Sequence, residues 1–547
     1  MKKIITVLLA LSMLVFLLAA CAAEDTAPAG GGGGGGDAPA GGADTPARDP
    51  DSDKHLIIAH SQDPRALPPN EMMFTQTMLN YTGFTVEWIS MPGEGAGERT
   101  QLMLASRDLP CVFMGLLNRN DIMRYKDQDM FVPVQDLIDN YMPLLSYVLE
   151  QRPQYRQQMT APDGQIWGFP RIEEMHGLIL NQGILAVNHV WLEAVGMDMP
   201  RTLDEFGDVL RAFRDQDPGN TGGQVLPFTF AGREGGIHLG AWANGNDFGN
   251  FMGMFGQASP GDGLMLDANG QVFFTPATEA FRDMYRFFHG WYAEGLIDPE
   301  VFNNGSGELS AKLREGIVGA VLNFSLPDRM PDDILANYTT VPNLTSALGR
   351  WGNRENFSEM HNPVTFVITT ACCNPVNAAI FADAFYHPQF SVEANWGPLD
   401  YVYVLDENGQ MVWGELQDGL DTFDDMRARH SLGGRQPLAI LDHFYGTVVE
   451  YPQNAQIILD AMHDIGFFNY HYDSPYIPPL WFTVEESNRL AVLTVQIYDN
   501  TVNPFRRGWI VDGGVDDQWE DYLEALERNG LQEFLAIIQA AFDRLSN

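Results

Sequence analysis

Leu56-Ile-Ile-Ala59, Phe84-Thr-Val-Glu-Trp-Ile89 and Cys111-Val-Phe-Met114 are three short apolar runs, and what separates them decides the fold. Between the first two lies an amphipathic stretch carrying Phe74, Met78 and Leu79 that stops near Gly83. Between the second and third lies a helix-forming run from Glu98 to Ser106. Short β-branched and aromatic runs alternating with helical periods read as β-α-β-α-β. Crossovers of this kind are right-handed, so the unit is expected to be a parallel sheet with helices on its faces, and the chain to be α/β. Cys111 lies in the third run, where a plain buried thiol is expected and a disulfide is the alternative.

Working outward, a second unit opens after Trp167-Gly-Phe-Pro170, where Gly177-Leu-Ile-Leu180 and Leu185-Ala-Val187 read as short strands. Its helices carry clear start signals. Thr202-Leu-Asp-Glu205 is a capping box ahead of Phe206, Val209, Leu210 and Phe213, which share one helical face. Thr275-Pro276 starts a helix with Phe281, Met284, Tyr285, Phe288 and Trp291 at helical spacing and Gly295 at its end. Asn374-Pro375 begins another, and Leu531, Phe534, Leu535, Ile538, Phe542 and Leu545 mark a last amphipathic helix. All these stripes read as core.

At the other end, Lys2 and Lys3 precede an apolar stretch from Ile4 to Leu17, and Leu18-Ala-Ala-Cys21 follows. A basic start, a short apolar run and small residues at the cut read as a signal that is removed. The pattern resembles the lipobox of bacterial lipoproteins, which implies a diacylated Cys21 and a protein tethered to the outer face of the cell membrane. Residues 21–53 are then a lipidated cysteine and a linker of Ala, Gly and Pro, with glycine unbroken from Gly30 to Gly36, too poor in apolar groups to bury a core.

The chain carries 32 Lys and Arg against 72 Asp and Glu, a formal net charge of −40, which makes nucleic acid an unfavourable partner. Beyond the signal, no run of 18 apolar residues offers a membrane-spanning helix. After Cys21 three cysteines remain, Cys111, Cys372 and Cys373, and no His or Cys partner stands at metal-ligand spacing around the vicinal pair.

Several segments together resemble the extracellular solute-binding proteins of ABC importers, in particular the large lipoprotein members associated with oligosaccharide uptake. Asp163-Gly-Gln-Ile-Trp-Gly-Phe-Pro-Arg171 is similar to the family's D-G-K-x-Y-G-x-P-R. Trp191-Leu-Glu-Ala-Val-Gly196 and Pro200-Arg-Thr-Leu-Asp-Glu-Phe206 follow W-L-x-x-L-G and P-x-T-x-x-E-F. Trp291-Tyr-Ala-Glu-Gly-Leu-Ile-Asp-Pro-Glu300, Leu313-Arg-Glu-Gly-Ile-Val-Gly-Ala320 and Asn395-Trp-Gly-Pro-Leu-Asp-Tyr401 continue the match.

The resemblance implies a two-lobed periplasmic-binding-protein-like fold of type II, with the ligand in a cleft between α/β lobes that close on it. Lobe 1 is expected over 54–172 with 326–372, and lobe 2 over 173–325 with 373–547. The crossings fall at Gly168–Gly177, Gly319–Ser325 and Val367–Asn374. Relatives carry an acidic calcium-like loop where this chain reads Asp217-Pro-Gly-Asn-Thr-Gly-Gly, so weak or no calcium is expected and Asp217 reads as a turn residue. No cofactor and no metal are implied.

The resemblance further implies a monomeric binding subunit that captures a carbohydrate, an oligosaccharide by preference, and hands it to the membrane-spanning subunits of an ABC permease. A sugar cleft wants aromatic platforms flanked by polar groups. Trp242, a lone aromatic among small residues, and Trp396 with Tyr401 are the candidate platforms. Asn323 and Phe324 stand just past a strand at an expected crossing. Arg171 and Glu173 follow the first crossing and bind hydroxyls or form a salt bridge or solvated turn. His361 faces the cleft or caps it, and Asp63 lies past the first strand, at the carboxyl end where open α/β sheets bind ligands. A peptide or other small solute is the alternative cargo. A surface glycosidase is a further alternative, although Glu173-Glu174 and Glu485-Glu486 read as surface or helix-start acids. No G-x-S-x-G, H-E-x-x-H or P-loop pattern occurs.

Overall fold

The β-α-β-α-β alternation forms one edge of a six-stranded sheet. The computed structural model describes residues 54–546 except 94, 175–183, 233–246, 258–260, 324–325, 327–328, 343, 350–359, 421–422, 453–455, 457–458 and 461–476. Cys21, Trp242, Phe324 and the strand expected at Gly177–Leu180 lie outside the described residues.

In chain order the strands are β1 (His55–Gln62), β2 (Thr85–Pro92), β3 (Val112–Met114), β4 (Phe169–Glu173), β5 (Ile184–Asn188), β6 (Leu226–Phe230), β7 (Leu264–Leu266), β8 (Val272–Phe274), β9 (Val318–Asn323), β10 (Tyr338–Thr340), β11 (Met360–Ile368), β12 (Tyr403–Leu405), β13 (Met411–Trp413) and β14 (Leu438–Ile440). The first sheet runs β2-β1-β3-β11-β4-β14, with β1 parallel to both β2 and β3 as expected. β11 enters antiparallel between β3 and β4, and β14 lies parallel to β4. The helix Met73–Thr82 stops at Gly83, whose φ of 72° is the left-handed turn that glycine adopts without a Cβ penalty.

The second sheet runs β10-β5-β9-β6. Along β5, Leu185 and Val187 face an aromatic core while Ile184 and Ala186 bury on the opposite side with Leu309 and Leu313, the alternation of a strand covered on both faces. Helix Leu203–Gln216 forms as the capping box predicts: Thr202 Oγ1 accepts from the Glu205 N–H at 3.2 Å and the Glu205 carboxylate returns to the Thr202 N–H. Its buried face is Phe206, Val209, Leu210 and Phe213, each contributing about 1.5–3 kcal/mol of burial. The stripe of helix Glu279–Ala293 buries as read, and helices Pro375–Asp383 and Leu531–Ser546 follow their signals.

Three expectations fail. The chain leaves the first sheet after β4 and enters the second at β5, but it remains with the second sheet through β10, which pairs with β5, so the return lies past Thr340 rather than at Gly319–Ser325. The last passage is later too. Helix Pro375–Asp383, helix Pro388–Trp396 and β14 all pack on the first sheet, so Val367–Asn374 is no crossing and 375–451 does not belong with the second lobe. Finally, Cys111 is no plain thiol: it is disulfide-bonded to Cys372 across 261 residues of sequence. β3 pairs with the end of β11, Val112 opposite Ile368, and this register brings the two cysteines together.

Candidate ligand-binding site

Of the residues singled out from sequence, Arg171, Glu173, His361 and Trp396 come together. Arg171 and Glu173 lie on β4 two residues apart, hence on the same face, and His361 comes from the neighbouring β11. Trp396 ends helix Pro388–Trp396. Arg171 donates through Nη1 to His361 Nδ1 at 2.8 Å, and through Nη2 to Glu173 Oε2 at 3.0 Å and Asn395 Oδ1 at 3.1 Å. Asn395 returns its amide N–H to Glu173 Oε1 at 3.1 Å, and Tyr445 donates its hydroxyl to the same oxygen at 3.0 Å.

The electrostatics of this cluster follow from its burial. A guanidinium only donates, so His361 Nδ1 is the acceptor and the ring proton sits on Nε2, 3.9 Å from Glu173 Oε2. Burial, and then the Arg171 charge, hold the His361 pKa well below the usual histidine range, so the ring is neutral. Burial also pulls the Arg171 guanidinium below its ordinary value, opposed by the Glu173 charge. Tyr445 is pushed well above the usual phenol range, first by burial and then by Glu173, and remains a donor.

Trp396 is half-buried and committed on two sides. Its Nε1 donates to the Tyr445 hydroxyl at 3.2 Å, and the Arg427 guanidinium lies 4.6 Å from its ring centroid in a cation–π contact. Arg427 itself donates to the Asn395 backbone oxygen. A ligand has at most the other indole face. Tyr401, also half-buried, meets His430 edge-on at 4.5 Å.

Glu173 and Glu174 are not surface acids: each is 4% exposed. Successive strand residues point to opposite faces, so Glu174 has its own partners. Arg152 grips it with Nε at 2.8 Å and Nη2 at 3.0 Å, the Tyr155 hydroxyl donates to it, and the Asp442 N–H closes on Oε2 at 3.0 Å. Glu174 accepts two hydrogen bonds at each oxygen and Glu173 two at Oε1 and one at Oε2, an arrangement that stiffens the end of β4. Glu486, by contrast, closes the capping box with Thr483 as read from sequence.

Asp63 lies elsewhere, in a recess at the carboxyl end of β1 lined by His60, Ser61, Gln62, Ser431, Gly433 and Arg435. Its carboxylate accepts from the Arg65 N–H at 2.9 Å and from the Arg65 guanidinium, which also reaches Asp425 at 3.0 Å. Asn323 ends β9, fully buried, and accepts from Arg329 Nε at 3.4 Å. Asp217 is the turn residue expected: it takes φ 43° at a helix end, and its two oxygens accept from the Thr221 N–H and hydroxyl and from the Gly223 N–H.

Asn395, Arg427, Tyr445 and Arg435 were not singled out. Asn395 opens the segment that carries Trp396 and Tyr401 and was readable there. The others sit in loops and short helices whose neighbours are remote in sequence, and no local pattern marks them.

Comparison with known proteins adds to this geometry. The family described as bacterial extracellular solute-binding protein matches residues 73–327. FusA, a fructooligosaccharide ABC transporter substrate-binding protein of Streptococcus pneumoniae serotype 4 (strain ATCC BAA-334 / TIGR4), is 30% identical over 488 residues, 87% of either chain. A solved structure of FusA in complex with kestose superposes with a TM-score of 0.78 at 29% identity, covering 90% of this chain and 99% of that one. Lipoprotein LipO of Bacillus subtilis (strain 168) is 22% identical over 270 residues, 47% of either chain. An HMO binding ABC-transporter associated solute binding protein from Bifidobacterium longum infantis ATCC 15697 shares the fold with a TM-score of 0.76 at 18% identity, over 90% of this chain and 99% of its own. Two α/β sheets linked by crossing chain, buried polar side chains where β4 ends, and a match along nearly the whole length converge: the chain belongs to the bacterial extracellular solute-binding proteins, two-lobed and exported.

Proposed function

We propose that this protein is the substrate-binding subunit of an ABC importer, that it captures a neutral oligosaccharide of the fructooligosaccharide class, and that it delivers this cargo to a permease by lobe closure. The observation that carries the reading is the 30% identity to FusA along 87% of both chains, too long a match to reflect the fold alone. The carboxylates at the end of β4, each bound by several donors, fit capture without chemistry, and no hydrolysis is assigned. Lobe 1 is taken as 54–174 with 360–451, and lobe 2 as 184–345 with 484–546, divisions that follow sheet membership and, for 484–546, burial with the aromatic core of the second sheet.

Trp242, Phe324, Trp396 and Tyr401 are assigned as sugar platforms, with Asn323 and Asp63 as polar contacts. Arg171, Glu173 and His361 form the stiff wall behind Trp396, with contact to the ligand limited to edges they leave uncovered. Cys21 carries the lipid and residues 22–53 are the leash, a reading supported by the lipobox-like run and by the likeness to Lipoprotein LipO.

The test uses the chain carrying Cys21→Ser, which removes the acyl acceptor, titrated with kestose, longer fructooligosaccharides, other glycans and peptides. A ligand held only by the native state raises the unfolding midpoint, by about 2.7 kcal/mol of stability at a hundredfold excess over Kd. The expected outcome is a rise with fructooligosaccharides and no product after prolonged incubation. A rise with peptides alone, or release of free sugar, overturns the proposal.

A further inference from the structure

We propose that the recess at the carboxyl ends of β1 and β3 is a hydroxyl-reading subsite in which Arg435, with Ser61, Gln62 and Asp63, takes a vicinal hydroxyl pair of a neutral sugar and disfavours acidic sugars. The proposal rests on the carbohydrate reading above.

Geometry supplies the first argument. The recess encloses ≈ 30 Å³, room for about two water-sized groups rather than a whole ring. It therefore fits the polar edge of a sugar. It sits where β1 and β3, parallel neighbours, both end, the position at which open α/β sheets take ligands.

The donors and acceptors are complementary to a diol. Arg435 uses Nη1 on Ser61 Oγ, and among the described residues no carboxylate pairs with it, leaving Nε and Nη2 as donors. Gln62 spends its Nε2 on the Ala66 and Leu67 carbonyls at 3.3 and 3.1 Å, which orients Oε1 as an acceptor. Asp63 is held by Arg65 and keeps lone pairs to accept from a hydroxyl. His60, pulled down to about 4 chiefly by burial, is neutral, with Nε2 on Ser90 Oγ at 2.8 Å and Nδ1 on the Ser61 carbonyl at 3.1 Å. Asp63, paired with Arg65 at 3.1 Å and within the field of the Arg435 charge, is the carboxylate that lines the recess, so an acidic sugar would meet an anion already in place while a hydroxyl finds both donors and an acceptor.

Arg435 is also held on a rigid base. A Cβ at Gly115, where φ is +65°, would stand 2.3 Å from the Arg435 carbonyl oxygen, so the end of β3 admits the loop only because it is glycine. On the other side Gly434 packs against the Arg171 guanidinium, whose Nη2 would lie 3.1 Å from a Cβ there. The loop is wedged between the two, and preorganised groups bind with less ordering cost.

The test is calorimetric titration of the Cys21→Ser chain and of the same chain with Arg435→Met, using kestose and, in parallel, an oligosaccharide ending in a uronate. Charge-assisted hydrogen bonds of this kind predict a roughly 10- to 100-fold weaker kestose affinity for Arg435→Met, with the ligand-free unfolding midpoint unchanged. They also predict weaker binding of the uronate than of kestose by the parent chain. Arg435→Lys, which keeps the charge but lacks the planar fork, is expected to fall between and serves if Arg435→Met does not fold. Equal kestose affinity in parent and variants, or tighter binding of the uronate, overturns the subsite while leaving the carbohydrate reading standing. A parent chain that binds no oligosaccharide overturns both.

Discussion

The two α/β units weight aromatic and polar burial differently. In the second, rings meet edge to face through the core: Phe206 and Phe228 at 5.8 Å, Phe228 and Phe251 at 5.9 Å, Phe251 and Phe288 at 4.9 Å, and Trp509 and Tyr522 at 4.9 Å. In the first, the end of β4 carries Glu173 with Arg171, His361 and Asn395 in one polar network, and Glu174 with Arg152 and Tyr155 in another on the opposite face. Aromatic burial is non-directional and tolerates any neighbour of the right volume, whereas a buried charge requires every partner. A solute-binding lobe must hold a polar wall in fixed geometry without water to stabilise it. The first unit does this at the end of β4, where the carboxylates are surrounded by donors, while the second keeps its buried pairs, Lys312 with Asp298 at 2.8 Å and Arg506 with Asp247, beside a larger aromatic core.

Breaking one partner on each side sharpens the contrast. Glu173→Ala strands the Arg171 guanidinium in a buried site and is expected to cost about 3–5 kcal/mol. Phe288→Ala should cost a similar 3–5 kcal/mol through the cavity it leaves. The two differ in rescue. Adding Arg171→Met to Glu173→Ala should recover much of the loss, because the remaining groups no longer face an unpaired charge, while no second truncation near Phe288 restores its core. Urea unfolding of the single and double variants reads the coupling; strict additivity in the β4 network would show the comparison to be wrong.

The same contrast explains what sequence revealed. The second unit's helices were readable because a cap, a period and a stop lie within one turn or one face: Thr202 to Glu205, Phe206 to Phe213, Phe281 to Trp291. The parallel β1, β2 and β3 were readable for the same reason. The polar network was not. Arg171, Glu173 and His361 were individually marked, but Glu173-Glu174 looked like exposed acids because the donors that complete their shells, Arg152, Asn395 and Tyr445, lie 22, 222 and 272 residues away. Crossings erred for a related reason. An apolar strand such as β9 or β14 states that it is buried and leaves its pairing partner unstated, so β10 joining β5 and β14 joining β4 had no local signature. The Cys111–Cys372 bond likewise depends on the β3–β11 register.

Polar burial also makes the first unit's stability depend on pH. Asp383 accepts from the Leu144 and Leu145 N–H groups at 3.2 and 2.9 Å, and burial, which outweighs those bonds, pushes its pKa up to about 6. A folded pKa above the unfolded value means that the proton stabilises the fold at low pH. That contribution is complete below about pH 4 and is lost as pH rises through 6. Asp383→Asn keeps an acceptor oxygen without the charge. It is expected to stabilise by up to about 2 kcal/mol at pH 7.5 and to be neutral near pH 4. Thermal unfolding at the two pH values checks this, and a gain of equal size at both would assign the effect to packing rather than ionisation.

The smallest expected effect places a polar pair of the second unit beside that of the first. Thr202 and Glu205 exchange hydrogen bonds reciprocally, whereas Arg171 only donates and Glu173 only accepts, and the Thr202 pair stands at a helix end in contact with solvent. When one member is removed, water takes its place, so the loss is the net value of a cap rather than the desolvation of an orphaned group. Thr202→Ala is therefore expected to cost about 1 kcal/mol, and Thr202→Ser, which keeps the acceptor oxygen, only a small part of that. Chemical unfolding of the two variants beside Glu173→Ala measures how far burial amplifies the loss of a hydrogen-bonding partner. If Thr202→Ala costs as much as Glu173→Ala, burial is not what separates the two regions, and the difference must lie in the charges themselves.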